Sequence, residues 1–456
     1  MDLASLRAFY AESGSPAAII EEVYARLDRH ADSGAWTYIV PKHEALRRAA
    51  TLSGASPLFG VPFSVKDNID VAGLPTTAGC SAFSYIPTVS ATVVERMEAA
   101  GAILIGKNTM DQFATGLVGI RSPIHPVNCF DPARVPGGSS SGSAVAVALG
   151  LVAISLGSDT GGSGRVPAAF NNIIGFKPTP GIISTAGMVY ANRSFDCVPI
   201  FALYCEDALD VFHVLIGEDA RDPFLLENPT FQRALPHGSN GLTVAVPARH
   251  DFGTDADTSI SFAFEAAISL LGSMGAHIVE IDFALFHEAG RMVFGGALLA
   301  ERVASVGQFI AAHRDETHPV VAEIITGAAS YDAIDLIKAQ HRLKQLQLEI
   351  DKIMSEIDIL AVPTSIGIPT IAAVEADPVV ANARLGRFTY FANPLGLSGV
   401  AVPASLRPDG LPFGICLYAR RRADAELLSY AAAFQKATRL RPGKCWPDNP
   451  ATVLFA

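Results

Sequence analysis

The sequence predicts an α/β protein of three layers, with helices on both faces of a large mixed central sheet. Three observations carry this. Helical stretches close on a glycine and give way to short apolar runs, as in 91–100, Gly101 and AILIGK at 102–107; this is the rhythm of helices alternating with buried strands. Half of the 456 residues are hydrophobic and only 17% are charged, a balance that suits one large core. The 39 Gly and 29 Pro lie scattered between apolar runs, so they mark tight connections rather than disorder.

In chain order, Ser15-Pro16 supplies an N-cap and a first-turn proline for a helix through residue 30, with Ile20, Val23, Tyr24 and Leu27 on one face. Residues 43–52 read as a second short helix, and LFGVPFSVKDNID (58–70) as a strand-like stretch entering a charged turn. Ser90 is expected to cap the helix at 91–100. A helix at 141–150 stops at Gly150 and a strand follows at 152–159. NNIIGFKPTPG (171–181) reads as rigid and turn-rich. Helices at 206–217 and 257–273 then alternate with strands at 243–247 and 277–283. Two long helices, 289–313 and 331–356, lead to strands at 357–364, 398–405 and 413–419. A last helix covers 423–437, and the tail from Arg441 is irregular.

Composition excludes several functions. The net charge is −11 and no Lys/Arg run exists, which argues against nucleic acid and anionic membrane as partners. No apolar run reaches the roughly 18 residues of a membrane span, and the N-terminus lacks a signal-peptide pattern. The six Cys form no C-x-x-C pair, so reduced thiols in a cytoplasmic protein are expected. The scattered Cys and His predict no metal site, and no cofactor is expected.

The chemistry concentrates in 137–167, GGSSSGSAVAVALGLVAISLGSDTGGSGRVP. GGSSSGS opens a helix but lacks the G-K-[ST] ending of a phosphate loop. Gly138 to Gly142 matches G-x-S-x-G, yet NCFDPARVP before it is broken by prolines where a nucleophile elbow needs a strand, and the eleven His sit in no suggestive context. The run Asp159-Thr160-Gly161-Gly162-Ser163 is either a structural turn or a nest of N–H groups that receives an oxyanion beside the Ser163 hydroxyl. Lys66 stands in an apolar approach. It is either paired with Asp67 or Asp70 at a strand end, or desolvated into a neutral amine that serves as a base.

Three stretches in this order, GVPFSVKDNIDVAGLPTTAG, PGGSSSGSAVAVALG and SLGSDTGGSGRVPAAFNNIIGFKPT, resemble the amidase signature family. The resemblance is strong over 55–200 and weaker over most of the chain. Ser139 and Ser163 are 163 − 139 = 24 residues apart, as the family's two serines are. The resemblance implies the three-layer α/β/α amidase-signature fold, with 1–456 as one amidase domain and 1–55 as a helical region packing on it. It also implies a Ser–cis-Ser–Lys triad: Ser163 as nucleophile, Ser139 as bridging serine with a cis peptide bond, Lys66 as base. The N–H groups of Thr160, Gly161, Gly162 and Ser163 would form the oxyanion hole. Ser140 and Asp159 would support the site, and Arg165 would order the loop. Family habit and the helix at 16–30 suggest a homodimer.

Within the family, DNIDVAGLPTTAGC (67–80), DQFATGL (111–117), AFNN (169–172), RSFDC (193–197) and, less closely, LGRFTYFANPLGLSGVAVP (385–403) are similar to allophanate hydrolases. The implied substrate is a small ureido acid, and Arg302 in FGGALLAER (294–302) would hold its carboxylate by both oxygens. The competing reading of Arg302 is an ion pair on a helix surface. Eight residues before that arginine the family has a tyrosine, whereas this chain has Phe294. The lost hydroxyl removes one substrate hydrogen bond or signals another small amide, such as a biuret-type, malonamate or aryl substrate. Loop 119–130 (GIRSPIHPVNCF) borders the expected pocket. Fuller allophanate hydrolases carry a further C-terminal domain that is expected to be absent here. The remaining alternatives are a non-catalytic binding protein and one component of a multi-chain amidotransferase.

Overall fold

Eleven strands form one mixed sheet: β1 (Trp36–Ile39), β2 (Pro62–Lys66), β3 (Ile103–Asn108), β4 (Ile154–Leu156), β5 (Ile174–Lys177), β6 (Ile200–Ala202), β7 (Thr243–Pro247), β8 (His277–Ile281), β9 (Ile359–Pro363), β10 (Ser398–Leu406) and β11 (Pro412–Ala419). The computed structural model describes residues 1–54, 56–227, 241–253 and 257–444. The spatial order is β1-β3-β2-β4-β6-β5-β10-β11-β9-β7-β8. The pairs β2·β3, β2·β4, β7·β8 and β7·β9 are parallel and the others antiparallel. Strands β2, β3, β4, β5, β9 and β11 are buried at every position. That is why they read as continuous apolar runs and not as alternation: both faces of the sheet are covered by helices.

The helix at Pro16–Arg29 begins as its sequence dictates, with the Ser15 hydroxyl accepting the Ala18 N–H at 3.2 Å and proline in the first turn. Its buried stripe is Ile19, Ile20, Val23 and Leu27. The region before residue 55 also holds a helix at Leu3–Ala11 and supplies edge strand β1. Ser90 does not cap the helix at Thr92–Ala99; its hydroxyl accepts the Ala72 N–H at 2.9 Å instead. The turn-rich reading of 171–181 is corrected too, because Ile174–Lys177 pairs with β6 and β10. The long helix at Ala333–Ser355 starts with a capping box between Asp332 and Asp335. The described cysteines Cys80, Cys129, Cys197, Cys205 and Cys416 are free thiols; Cys445 and most of the irregular tail lie outside the described residues.

The single helix expected at 289–313 is broken. A helix at Ala284–Gly295 ends at Gly296, whose backbone is extended, and short turns carry the chain through Arg302 into a π-turn at Val303–Gly307. The bend across the break is 44°. Two consecutive glycines, 295 and 296, give little resistance to leaving helical geometry. The break turns Arg302 inward, where it is 1% exposed. Among the described residues no single helix is long and apolar enough to cross a membrane.

Candidate active site

The site lies at the carboxyl ends of two parallel neighbours, β2 and β4. Their register pairs Phe63 with Ile154, Ser64 with Ser155 and Val65 with Leu156. Lys66, the last residue of β2, therefore stands level with the loop that leaves β4. Open α/β sheets place ligands at this end of their strands. Lys66 is completely buried. Its Nζ donates to Ser139 Oγ at 2.7 Å and to Ser158 Oγ at 2.8 Å. Burial pulls the amine down to about 7, against the opposing pull of Asp111, Asp196 and Asp159. The alternative pairing fails on geometry: Asp67 pairs with Lys107 at 3.3 Å, and Asp70 accepts from the Thr76 and Tyr85 hydroxyls.

Ser139 and Ser140 sit just before the helix at Ser141–Ala148, and the Gly138–Ser139 peptide is cis. No strand precedes Ser139, so the elbow context is absent here too. Ser139 is fixed through its carbonyl, which accepts the Asp111 N–H at 3.1 Å. Ser140 Oγ donates to the Ser158 carbonyl at 3.1 Å and so ties this turn to the loop after β4. Ser163 is 3% exposed. Among the described residues its hydroxyl bonds to no protein group, Ser139 included.

The loop 159–164 is held from behind. Asp159 accepts the N–H groups of Gly162 and Gly164, each at 2.8 Å, and binds Arg165 through both oxygens. Burial pushes Asp159 upward, but Arg165 and these donors outweigh it and hold the carboxyl at about 2. The carbonyls of Asp159 and Gly161 accept from Asn393 Nδ2 and the Thr389 hydroxyl. With those carbonyls engaged, the N–H groups of Thr160, Gly161 and Ser163 have no protein acceptor among the described residues. Buried backbone donors without partners are rare, and three on one loop imply a ligand oxygen. Gly162 departs from the expected set of four donors, because its N–H is already taken by Asp159. A Cβ on Gly161 would stand 2.4 Å from the Phe294 ring, and one on Gly162 the same distance from Thr389 Oγ1, so the loop needs both glycines.

Arg302 is not a surface residue. Its Nη1 donates to Thr115 Oγ1 at 2.7 Å, while Nη2 is buried without a partner. Burial pulls its pKa downward, and Asp196 opposes that. The guanidinium carbon lies 5.4 Å from the centre of the Phe294 ring, which stacks on Tyr390 at 4.0 Å. Phe294 thus touches both the loop 159–164 and the arginine. In loop 119–130, Arg121 is buried and donates to the carbonyls of Thr115 and Pro378.

The amidase family profile matches residues 18–428. The chain belongs to the amidase family. It is 41% identical to urea amidolyase of Saccharomyces cerevisiae over 405 residues, covering 87% of this chain and 22% of that protein. It is 32% identical to the first of the lettered subunits of glutamyl-tRNA(Gln) amidotransferase from Chlorobaculum parvum, over 93% of this chain and 95% of that one. Among solved structures, Kluyveromyces lactis allophanate hydrolase superposes with a TM-score of 0.89 at 37% identity, covering 98% of this chain and 74% of that one. The chain thus spans only about a fifth of the length of urea amidolyase. Its mixed α/β sheet flanked by helices is the fold of that family.

Several residues of this amidase site escaped the reading of the sequence. Ser158, second partner of Lys66, follows strand β4 within SLGSDTGG. Thr115 lies in DQFATGL, Asp196 in RSFDC, and Thr389 and Asn393 in RFTYFAN. Each stretch stood out, yet only long-range contacts reveal what its polar residue does.

Proposed function

We propose that this amidase hydrolyses the terminal amide of a small ureido acid, allophanate first, releasing ammonia and leading to carbon dioxide. The observation that carries the reading is the 2.7 Å bond between Lys66 Nζ and Ser139 Oγ in a completely buried pocket. A lysine held near neutrality by burial is a usable base. Neutral Lys66 takes the proton of Ser139 as Ser139 takes that of Ser163, and Ser163 Oγ attacks the amide carbonyl. The Ser139–Ser163 contact forms with substrate bound. The oxyanion is received by the N–H groups of Thr160, Gly161 and Ser163. The relay in reverse protonates the departing nitrogen, so the C–N bond breaks and ammonia leaves. Water then clears the acyl group from Ser163 by the same path. Arg302 holds the carboxylate, with Nη2 as the free donor.

The relatives support this reading, since one solved neighbour is an allophanate hydrolase and one curated relative a urea amidolyase. A component of a multi-chain amidotransferase is the second reading, favoured by coverage: the chain spans 95% of the Chlorobaculum parvum relative. Ammonia release from allophanate, biuret, malonamate and an aryl amide, measured without added partners, separates them. Preferred turnover of allophanate is expected. No turnover of any free amide would remove the hydrolase reading.

A further inference from the structure

Asp196 has no part in the relay, yet the fold places it with care. It is 4% exposed. One carboxylate oxygen accepts the Thr160 hydroxyl; the other accepts the N–H groups of Ala191 at 2.8 Å and Asn192 at 3.2 Å. The backbone explains the placement. Asp159 and Cys197 form an antiparallel bridge, with N–H···O distances of 3.0 and 3.1 Å, so residues 160 and 196 face each other beside it. Burial raises the Asp196 carboxyl to about 6, and its charge acts on both Lys66 and Arg302. Within 160–162 only Thr160 has a side chain by which the loop can be held. The same carboxylate fixes Asn192, whose Nδ2 donates to the Leu298 carbonyl at 3.0 Å, four residues before Arg302.

We propose that Asp196 is a positioning residue that holds the oxyanion loop through the Thr160 hydroxyl and registers it, through Asn192, against the segment carrying Arg302. This rests on reading Ser163 as the nucleophile. The chemistry of the substitutions makes it testable. Alanine at 196 removes the acceptors of both the Thr160 hydroxyl and the two backbone donors, whereas asparagine satisfies both sides by accepting the backbone N–H groups at Oδ1 and donating from Nδ2 to the Thr160 hydroxyl. Valine at 160 keeps the shape and removes the hydroxyl, and serine restores it.

The experiment measures kcat and KM for ammonia release per active site, with sites counted by fluorophosphonate labelling of Ser163. Asp196→Ala and Thr160→Val are each expected to lower kcat about 10- to 100-fold, within or below the effect of losing one oxyanion donor. KM should stay near the wild-type value, and Thr160→Ser should recover most of kcat. The double variant should be no slower than the slower single one, since both remove one interaction. Unchanged kcat per labelled site in Thr160→Val, or losses that multiply in the double variant, would overturn the positioning role while wild-type turnover stands. Wild-type protein that neither labels nor turns over would remove the reading of Ser163 and this role with it.

Discussion

Arg165 and Arg302 are both buried completely or nearly so, and the fold treats them in opposite ways. Arg165 makes five hydrogen bonds: two to Asp159, and one each to the Thr389 carbonyl, the Tyr418 hydroxyl and Asn393 Oδ1. Its charge is matched by Asp159 at 2.8 Å. Arg302 has Thr115 as its near partner, no carboxylate within ion-pair distance among the described residues, and a buried Nη2 with nothing to donate to. A buried charge is retained only where something compensates it. For Arg165 the compensation is built into the chain. For Arg302 only the more distant charge of Asp196 opposes burial. The charge behind the glycine loop is therefore balanced by an ion pair within the chain, and that of Arg302 is not.

On the nucleophile side, Lys66→Ala should lower kcat/KM by about 10²- to 10⁴-fold, the usual contribution of a positioned base. In the proposed relay the neutral amine is the active form. Activity should therefore rise with pH through about 7, and the variant should lose that rising limb in a pH–rate profile. Arg165→Met leaves Asp159 buried and uncompensated. It should cost about 3–5 kcal/mol of stability, read as a lower urea midpoint at unchanged slope. Arg302→Met removes a charge that lacks an internal partner, so its urea midpoint should stay near wild type. Its kcat/KM should fall about 10- to 100-fold for substrates with a carboxylate and stay level for neutral amides, from the loss of charge-assisted hydrogen bonds. Equal destabilisation by both arginine substitutions would erase the contrast. The smallest effect is expected from Phe294→Tyr. A restored hydroxyl is worth about 0.5–1.5 kcal/mol, and should raise kcat/KM on allophanate about 2- to 10-fold.

The two sides also differ in how far the sequence revealed them. Lys66, Ser139, Asp159 and Arg165 fall within three compact stretches, and local rules bring them close: parallel strands ending together, and a glycine loop bending between. The helices with clear caps, such as Pro16–Arg29, were legible for the same reason. Short strands were not. Ile174–Lys177 and Ile200–Ala202 carry too few residues for periodicity to register, and only their sheet neighbours make them strands. On the substrate side, the break at Gly296 was hidden inside an apolar run that reads as helix. The partners Thr115 and Tyr390 come from distant segments, 302 − 115 = 187 and 390 − 294 = 96 residues from Arg302 and Phe294 respectively. Even on the nucleophile side, Gly162 misled, because its N–H was expected to face the substrate and instead binds Asp159.

The relay leaves one question that a single measurement decides. Lys66 touches Ser139 at 2.7 Å and does not touch Ser163, so proximity to the base alone would name Ser139 as the nucleophile. The free N–H groups of Thr160, Gly161 and Ser163 name Ser163. Mass spectrometry of the peptides from fluorophosphonate-treated protein separates the two. The account predicts the added mass on the peptide containing Ser163 and none on that containing Ser139. Modification of Ser139, or undiminished labelling in Ser163→Ala, would contradict it.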